Sequence, residues 1–175
     1  MSRSGVLQAG EPVLLIDRKK RRYLIDLEEG GEFHSHSGVL PHDELIGKPE
    51  GETYRSSRGM VFIAIRPTIT DFILKMPRGA QVVYPKDIGP ILIHADIFPG
   101  ARVLESGLGS GALSMGMLRA GADIVGYELR EEFEEHARAA VARFLGSEAL
   151  ERYRTQVRDV YAGIDETDLD RIVLD

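Results

Sequence analysis

The sequence predicts an α/β protein in which a small all-β domain precedes an incomplete, doubly wound parallel sheet of Rossmann-like type. Three observations predict it. Strand-like and helix-like runs alternate from Ala101 onward. A glycine-rich turn, Gly107-Leu108-Gly109-Ser110-Gly111, follows the first of those strands. Between Pro12 and Arg66, by contrast, short β-branched and aromatic runs are separated by turn-prone residues, and no helical period survives.

In the front segment the expected strands are Val13–Ile16, Arg22–Ile25 and Met60–Ile65, with turns at 17–20, 30–31 and 47–51. This is expected to form a barrel or sandwich over residues 1–66. Residues 67–100 read as a helical connection. Ile69, Phe72, Ile73 and Met76 recur at helical spacing behind Pro67, and Asp87 is the expected cap of a second short helix reaching Ala95. The remaining span, 101–175, reads as strand 102–104, helix 112–120, strand 124–127, helix 130–145, strand 156–158 and strand 171–174. Phe133, Ala137, Ala140, Val141, Phe144 and Leu145 form the apolar stripe of the longer helix, and Glu131, Glu132, Glu134 and Glu135 suit its N-terminal dipole. An apolar fourth strand at a sheet edge is an unfinished object, so the sequence is expected to be C-terminally truncated, or completed by another chain.

Composition narrows the chemistry. Of 175 residues, 22 are basic and 28 acidic, with no cysteine or tryptophan and 43% hydrophobic content. The absence of cysteine excludes a disulfide scaffold, a thiol nucleophile and thiolate metal ligands. No apolar run approaches the roughly 18–20 residues of a membrane helix, and the start lacks a signal peptide's apolar core, so a cytoplasmic protein is expected. Residues 1–90 carry 13 basic and 12 acidic side chains, residues 91–175 carry 9 and 16. The front half is therefore the half suited to a polyanion. Lys19-Lys20-Arg21-Arg22 is a basic run in an expected hairpin turn. Solvation is its default, but with Arg55, Arg58 and Arg78 it also suits phosphates. His34, His36 and His42 are the candidate metal ligands. Glu44, the nearest following glutamate, comes eight residues after His36, so no metal is expected and a loop near RNA is the preferred reading.

The glycine turn carries the chemistry. Alternate glycines let a ligand approach main-chain N–H groups at a helix N-terminus. The same letters fit G-x-G-x-x-A through Gly107, Gly109 and Ala112, which keeps a nicotinamide-dependent oxidoreductase open. Glu128 ends the second strand 21 residues after Gly107, the spacing of a ribose-binding carboxylate. Glu105 precedes the glycines. An anion there repels a pyrophosphate but suits a ligand bearing ammonium or sulfonium charge. Asp159, after the third strand, suits an exocyclic amine of adenine.

Glu105 through Gly111 as E-x-G-x-G-x-G, Tyr127-Glu128, Arg158-Asp159-Val160 and Ile172-Val173-Leu174-Asp175 resemble class I S-adenosylmethionine-dependent methyltransferases. Glu32–Gly38, His42–Gly47, Arg66-Pro67 and Gln81–Asp87 narrow the resemblance to the archaeal and bacterial tRNA (adenine-58-N1)-methyltransferases. The Tyr84-Pro85-Lys86-Asp87 run is its most specific part. The resemblance implies S-adenosyl-L-methionine as cofactor, tRNA as partner and a homotetramer. It implies that Gly107, Leu108, Gly109, Ser110 and Gly111 line the methionine portion, with Glu105 nearby. Glu128 holds the ribose, Asp159 and Val160 flank the adenine, and Phe133 counts among the cofactor contacts. Tyr84 positions the target base, and Asp175 serves both as cofactor contact and as the acidic residue of the catalytic motif beside the methyl donor. The Leu-Pro-Glu/Gln-Pro run that follows this aspartate in the family is absent, and the turn 119–123 is shorter than usual. A non-catalytic tRNA-binding subunit or inactive fragment is the remaining alternative.

Overall fold

The computed structural model describes residues 5–77, 79 and 81–174. They divide into two compact units, Met1–Lys75 and Met76–Asp175. The segment 67–100 is thereby shared between both units. Its first helix belongs to the front unit and its second to the back unit.

In the front unit, strands β1 (Pro12–Asp17), β2 (Arg22–Asp26), β5 (Thr53–Arg55) and β6 (Val61–Ile65) form an antiparallel sheet of order β2-β1-β6-β5. Strands β3 (Glu32–Ser35) and β4 (Gly38–Pro41) form a separate hairpin. The stretch around His34 and His36 is therefore this hairpin rather than a loop. Leu7, Val13, Leu15, Leu27, Leu40, Leu45, Tyr54, Phe62 and Ala64 make the core, and the rings of Tyr23, Phe33 and Phe62 meet pairwise at 5.2–6.1 Å. Those tilted and edge-on contacts place Phe33 of the hairpin against both sheet aromatics. Helix α1 (Ile69–Lys75) is started by a capping box that the sequence reading missed. Thr68 Oγ1 accepts from the Asp71 amide at 3.1 Å, while the Asp71 carboxylate accepts from the Thr68 amide and hydroxyl.

The basic run is split by its surroundings. Asp17 is buried and accepts from the amides of Lys19 and Arg21 and from Arg21 Nε at 2.6 Å. Burial alone would raise its pKa, but these Arg21 and Lys19 bonds, with the Arg21 charge, outweigh burial and hold it below 3.8. Arg21 is thus paired with Asp17, and Arg22 with Asp71. Arg18, Lys19 and Lys20 point to solvent.

In the back unit, helix α2 (Pro85–His94) starts one turn earlier than its sequence suggests. Tyr84 is its N-cap through the main chain and Pro85 fills the first position, so Asp87 does not cap it but pairs with Lys86 at 2.7 Å. Strands β7 (Arg102–Ser106), β8 (Asp123–Glu128), β9 (Tyr153–Val157) and β10 (Arg171–Leu174) form an all-parallel sheet of order β10-β7-β8-β9. The third strand begins at Tyr153, three residues before the expected position. Helices α3 (Ala112–Arg119) and α4 (Glu131–Leu145) connect the first three strands and pack on one another and on β8. On the opposite face, Leu104, Val125 and Tyr127 are covered by Val160 and Leu169 from the β9–β10 connection. The chain leaves β7 toward β8 and β9, then returns to the other side of β7. That reversal is the switch point where open α/β sheets bind ligands at their carboxyl ends. Among the described residues, no helix is long and apolar enough to cross a membrane.

Candidate functional site

The switch point holds the glycine turn. Gly107, Gly109 and Gly111 all take positive φ, at 91°, 48° and 73°. The turn is tied at both ends, since the Gly107 amide donates to the Tyr127 carbonyl at 2.9 Å and the Gly111 amide to the Leu108 carbonyl at 2.8 Å. A Cβ on Gly111 would stand 3.0 Å from the Ala137 carbonyl oxygen and 3.1 Å from its Cα, so the turn is seated directly on α4. Leu108 is the turn's anchor. It is 3% exposed and occupies the space a side chain at position 126 would fill, with Leu108 Cδ2 only 2.6 Å from an ideal Cβ on Gly126. The sequence did carry a signal for Gly126: a lone glycine in the apolar strand Ile124-Val125-Gly126-Tyr127 marks close approach by a neighbour.

Glu128 joins the turn to the end of β8. It is mostly buried, and its carboxylate accepts from the Gly109 amide at 3.1 Å, the Leu129 amide at 2.9 Å and the Arg130 amide at 3.1 Å. The Arg158 amide donates to the Glu128 carbonyl at 2.8 Å, which brings the start of the β9–β10 connection alongside. There Asp159 is exposed and its Oδ1 accepts from the Tyr161 amide at 2.9 Å, opening the 3-10 turn 160–162. Val160 is half-buried against the sheet. Ser110 is buried within the turn. Phe133, in the first turn of α4, lies half-buried beneath the Arg130 guanidinium, 4.0 Å from its ring centre.

Glu105 is placed differently from expectation. At 1% exposure it lies inside the unit rather than on an open rim. Strand alternation gives the reason: Leu104 faces the β9–β10 connection, so Glu105 faces α3. There the Ser114 hydroxyl donates to Glu105 Oε2 at 2.6 Å. Its only proton spent, Ser114 accepts from the Tyr153 hydroxyl, 3.0 Å away. Burial and the Glu105 charge push that phenol well above its ordinary value of 10. Neither Ser114 nor Tyr153 was legible as a site-supporting residue, because they meet from 39 positions apart. Ser114→Ala is expected to cost about 2–4 kcal/mol in urea denaturation, since both buried neighbours lose a partner. In the unfolded chain Tyr153 ionises near pH 10 while the native phenol stays protonated, so native stability falls as pH rises past 10. Tyr153→Phe should flatten that alkaline slope, and an unchanged slope would refute the buried chain of donors.

Tyr84 is 40% exposed at the start of α2. That helix is docked on α3 through Ile88, whose Cγ2 lies 2.6 Å from an ideal Cβ on Gly116. Among the described residues, no hydrogen bond or ring contact joins Tyr84 to the glycine turn. Asp175 and Arg78 lie outside the described residues. The three front-unit histidines are engaged separately: His34 with Glu32 at 3.0 Å, His36 with Arg21 at 3.2 Å, and His42 Nδ1 with the Glu28 amide at 3.1 Å. No three metal-ligating side chains of the described residues come together.

Comparison with known proteins follows the same division. A family model described as TrmI-like N-terminal matches residues 5–53, and one described as tRNA methyltransferase complex GCD14 subunit matches residues 59–175. The tRNA (adenine(58)-N(1))-methyltransferase TrmI of Thermus thermophilus is 35% identical over 167 residues, 94% of this chain and 65% of that protein. A Methanocaldococcus jannaschii TrmI, named for adenines 57 and 58, is 30% identical over 93% of this chain and 65% of its own. Among solved structures, a SAM-dependent O-methyltransferase from Thermotoga maritima superposes with a TM-score of 0.88 at 34% identity, covering 97% of this chain and 64% of that one. The tRNA (m1A58) methyltransferase TrmI of Aquifex aeolicus gives 0.76 at 30%, covering 91% and 61%. The chain thus spans 65% of the length of the two curated relatives. Its parallel sheet, with the antiparallel unit before it, has the class I S-adenosylmethionine-dependent methyltransferase fold. With family models over both units, the chain belongs to the tRNA methyltransferase family of the GCD14 subunit and carries that family's TrmI-like N-terminal domain.

Proposed function

We propose that the protein transfers a methyl group from S-adenosylmethionine to N1 of an adenine in tRNA, at position 58 as in the names of its relatives. The observation that carries the cofactor half is the Glu128 carboxylate, 3.1 Å from the Gly109 amide. A pyrophosphate needs the turn's N–H groups open, whereas here a negative charge already occupies one of them. A carboxylate acceptor in that place fits a ligand with positive charge and ribose hydroxyls, and it disfavours a pyrophosphate there. When bound, S-adenosylmethionine supplies an electrophilic methyl group on sulfur. Gly107 to Gly111 cradle its amino-acid end through main-chain groups, and Glu128 accepts from the ribose. Asp159 and Val160 flank the adenine, with Phe133 closing the side toward α4. Glu105, through Ser114 and Tyr153, fixes the strand and helix between which the turn is slung.

The target N1 lies on the Watson–Crick edge, so the base must be extruded from its stack at a cost of a few kcal/mol. Tyr84 holds the extruded base, and Asp175 accepts from its 6-amino group, which orients the ring and offsets the positive charge that grows as N1 attacks. Most of the acceleration is positional, for which well-aligned reactants gain ~7–11 kcal/mol. A homotetramer is proposed as the working assembly.

The test is calorimetry with S-adenosylhomocysteine and with NAD, followed by methyl transfer to a tRNA transcript. Binding of the former only, and a reverse-transcription stop at adenine 58 that an adenine-to-guanine transcript lacks, is the expected result. Heat with NAD alone, or methylation of a hydroxyl without a stop, would overturn it.

A further inference from the structure

Three turns of the front unit converge into one basic cleft. The β1–β2 turn is held by Asp17, which fastens the amides of Lys19 and Arg21. The β3–β4 turn is fastened to the β5–β6 turn by the Ser56 hydroxyl donating to the Ser37 carbonyl at 2.5 Å, and by the Ser57 amide donating to the Val39 carbonyl at 2.8 Å. Gly38, at φ 100°, is required there, since a Cβ would stand 2.8 Å from the Arg58 amide. Arg58 donates to the His36 carbonyl at 3.2 Å, and an Arg21 amine to His36 Nε2, also at 3.2 Å. Arginine only donates, so Nε2 accepts and the His36 proton sits on Nδ1.

Between these turns is a cleft of about 490 Å³, lined by Arg18, Lys19, His36, Ser37 and Arg58 above an apolar floor of Met60 and Val61. Among the described residues, no acidic side chain lines it. Asp17, the nearest acid in sequence, is buried and already bonded to Arg21. Neither Arg18 nor Lys19 forms an ion pair with a described residue. Their charges remain outward, on backbone that is rigidly fastened, at the mouth of a concave surface.

We propose that this cleft binds the sugar-phosphate backbone of RNA, Arg18, Lys19 and Arg58 each taking a phosphate oxygen while Met60 and Val61 carry a ribose. The assignment rests on the reading above that the substrate is tRNA. It adds which surface of the chain meets the backbone. Cations on turns, with an apolar strip between, fit the alternation of phosphate and sugar. A tight pocket for one free phosphate would instead need enclosing main-chain N–H groups.

The experiment compares the full chain with a variant carrying Arg18→Glu, Lys19→Glu and Arg58→Glu, measuring tRNA affinity at several salt concentrations and S-adenosylhomocysteine affinity in parallel. A second variant, Arg18→Glu with Lys19→Glu and Lys20→Glu, keeps the Arg58 bond to His36, and thermal unfolding checks both. The expected result is a tRNA affinity lower by at least about tenfold and a log-affinity slope against log salt shallower by roughly 2–3, with cofactor binding unchanged. If both folded variants bind tRNA like the wild type, the cleft assignment falls while the methyltransferase reading stands. If the variants lose tRNA with these charges yet the wild type takes up neither S-adenosylhomocysteine nor S-adenosylmethionine, the cleft stands and the functional reading falls. Equal binding of a polyglutamate of matched charge, lost equally in the variants, would identify a site for acidic protein and overturn the RNA assignment.

Discussion

Gly126→Val is expected to weaken S-adenosylhomocysteine binding by more than tenfold and to destabilise the back unit. The cause is steric and local. Position 126 faces the α3–α4 side of the sheet, where Leu108 Cδ2, Cδ1 and Cγ lie 2.6, 3.0 and 3.3 Å from an ideal Cβ. Leu108 is almost fully buried, so it cannot swing into solvent. Displacing it moves the main chain of Gly107 to Gly109, whose amides set the cradle. Overpacking of this kind costs about 1–3 kcal/mol, and about 1.4 kcal/mol already amounts to a factor of ten in affinity. Gly126→Ala should show the smaller effect, because it adds the Cβ alone and not the two further methyl groups of valine. Leu108→Ala in the Gly126→Val background should recover part of the lost stability, giving a coupling energy of opposite sign to the single losses. Additive losses would mean that Leu108 and Gly126 do not form the lock inferred from their spacing.

This lock also shows where reading a sequence succeeds and where it stops. The parallel sheet was legible because βαβ alternation is a linear pattern, and Glu128 was legible because its distance from Gly107 is fixed by one helix and one strand. The front unit was harder. Glu32–Ser35 is short and polar except for Phe33, and it becomes a strand because Phe33 reaches Tyr23 and Phe62, partners that no local window contains. The start of β9 was missed because Tyr153-Arg154-Thr155 follows a 3-10 turn, Ser147–Arg152, without a breaker. The Asp87 cap failed for a different reason: proline at position 85 already fixes the first turn and leaves Tyr84 to cap through its main chain. In the site, the roles of Glu105 and its neighbours depend on which face of β7 looks at α3. Strand alternation decides that, and it leads to Ser114 and Tyr153 only once the sheet is assembled.

Glu128→Gln should separate the two tasks of the carboxylate that closes the turn. Two of its three amide donors, Leu129 and Arg130, belong to exposed residues and can turn to water, so losing them costs little. The third, from Gly109, crosses 19 positions and holds the turn against the end of β8. A glutamine keeps one oxygen for Leu129 and Arg130 but sets an N–H group against the Gly109 N–H, so only the long-range bond is lost. The ribose hydroxyl proposed to donate to this same oxygen loses its charged acceptor as well, and hydrogen bonds to a charged group contribute about 1.5–3 kcal/mol, which predicts a rise in the dissociation constant for S-adenosylhomocysteine of roughly 10–150-fold. Unfolding free energy should fall by no more than about 2 kcal/mol, and Glu128→Ala should lose at least as much on both measures. Binding within twofold of wild type in a folded Glu128→Gln protein would remove Glu128 from the cofactor site and leave the bond to Gly109 a purely structural tie.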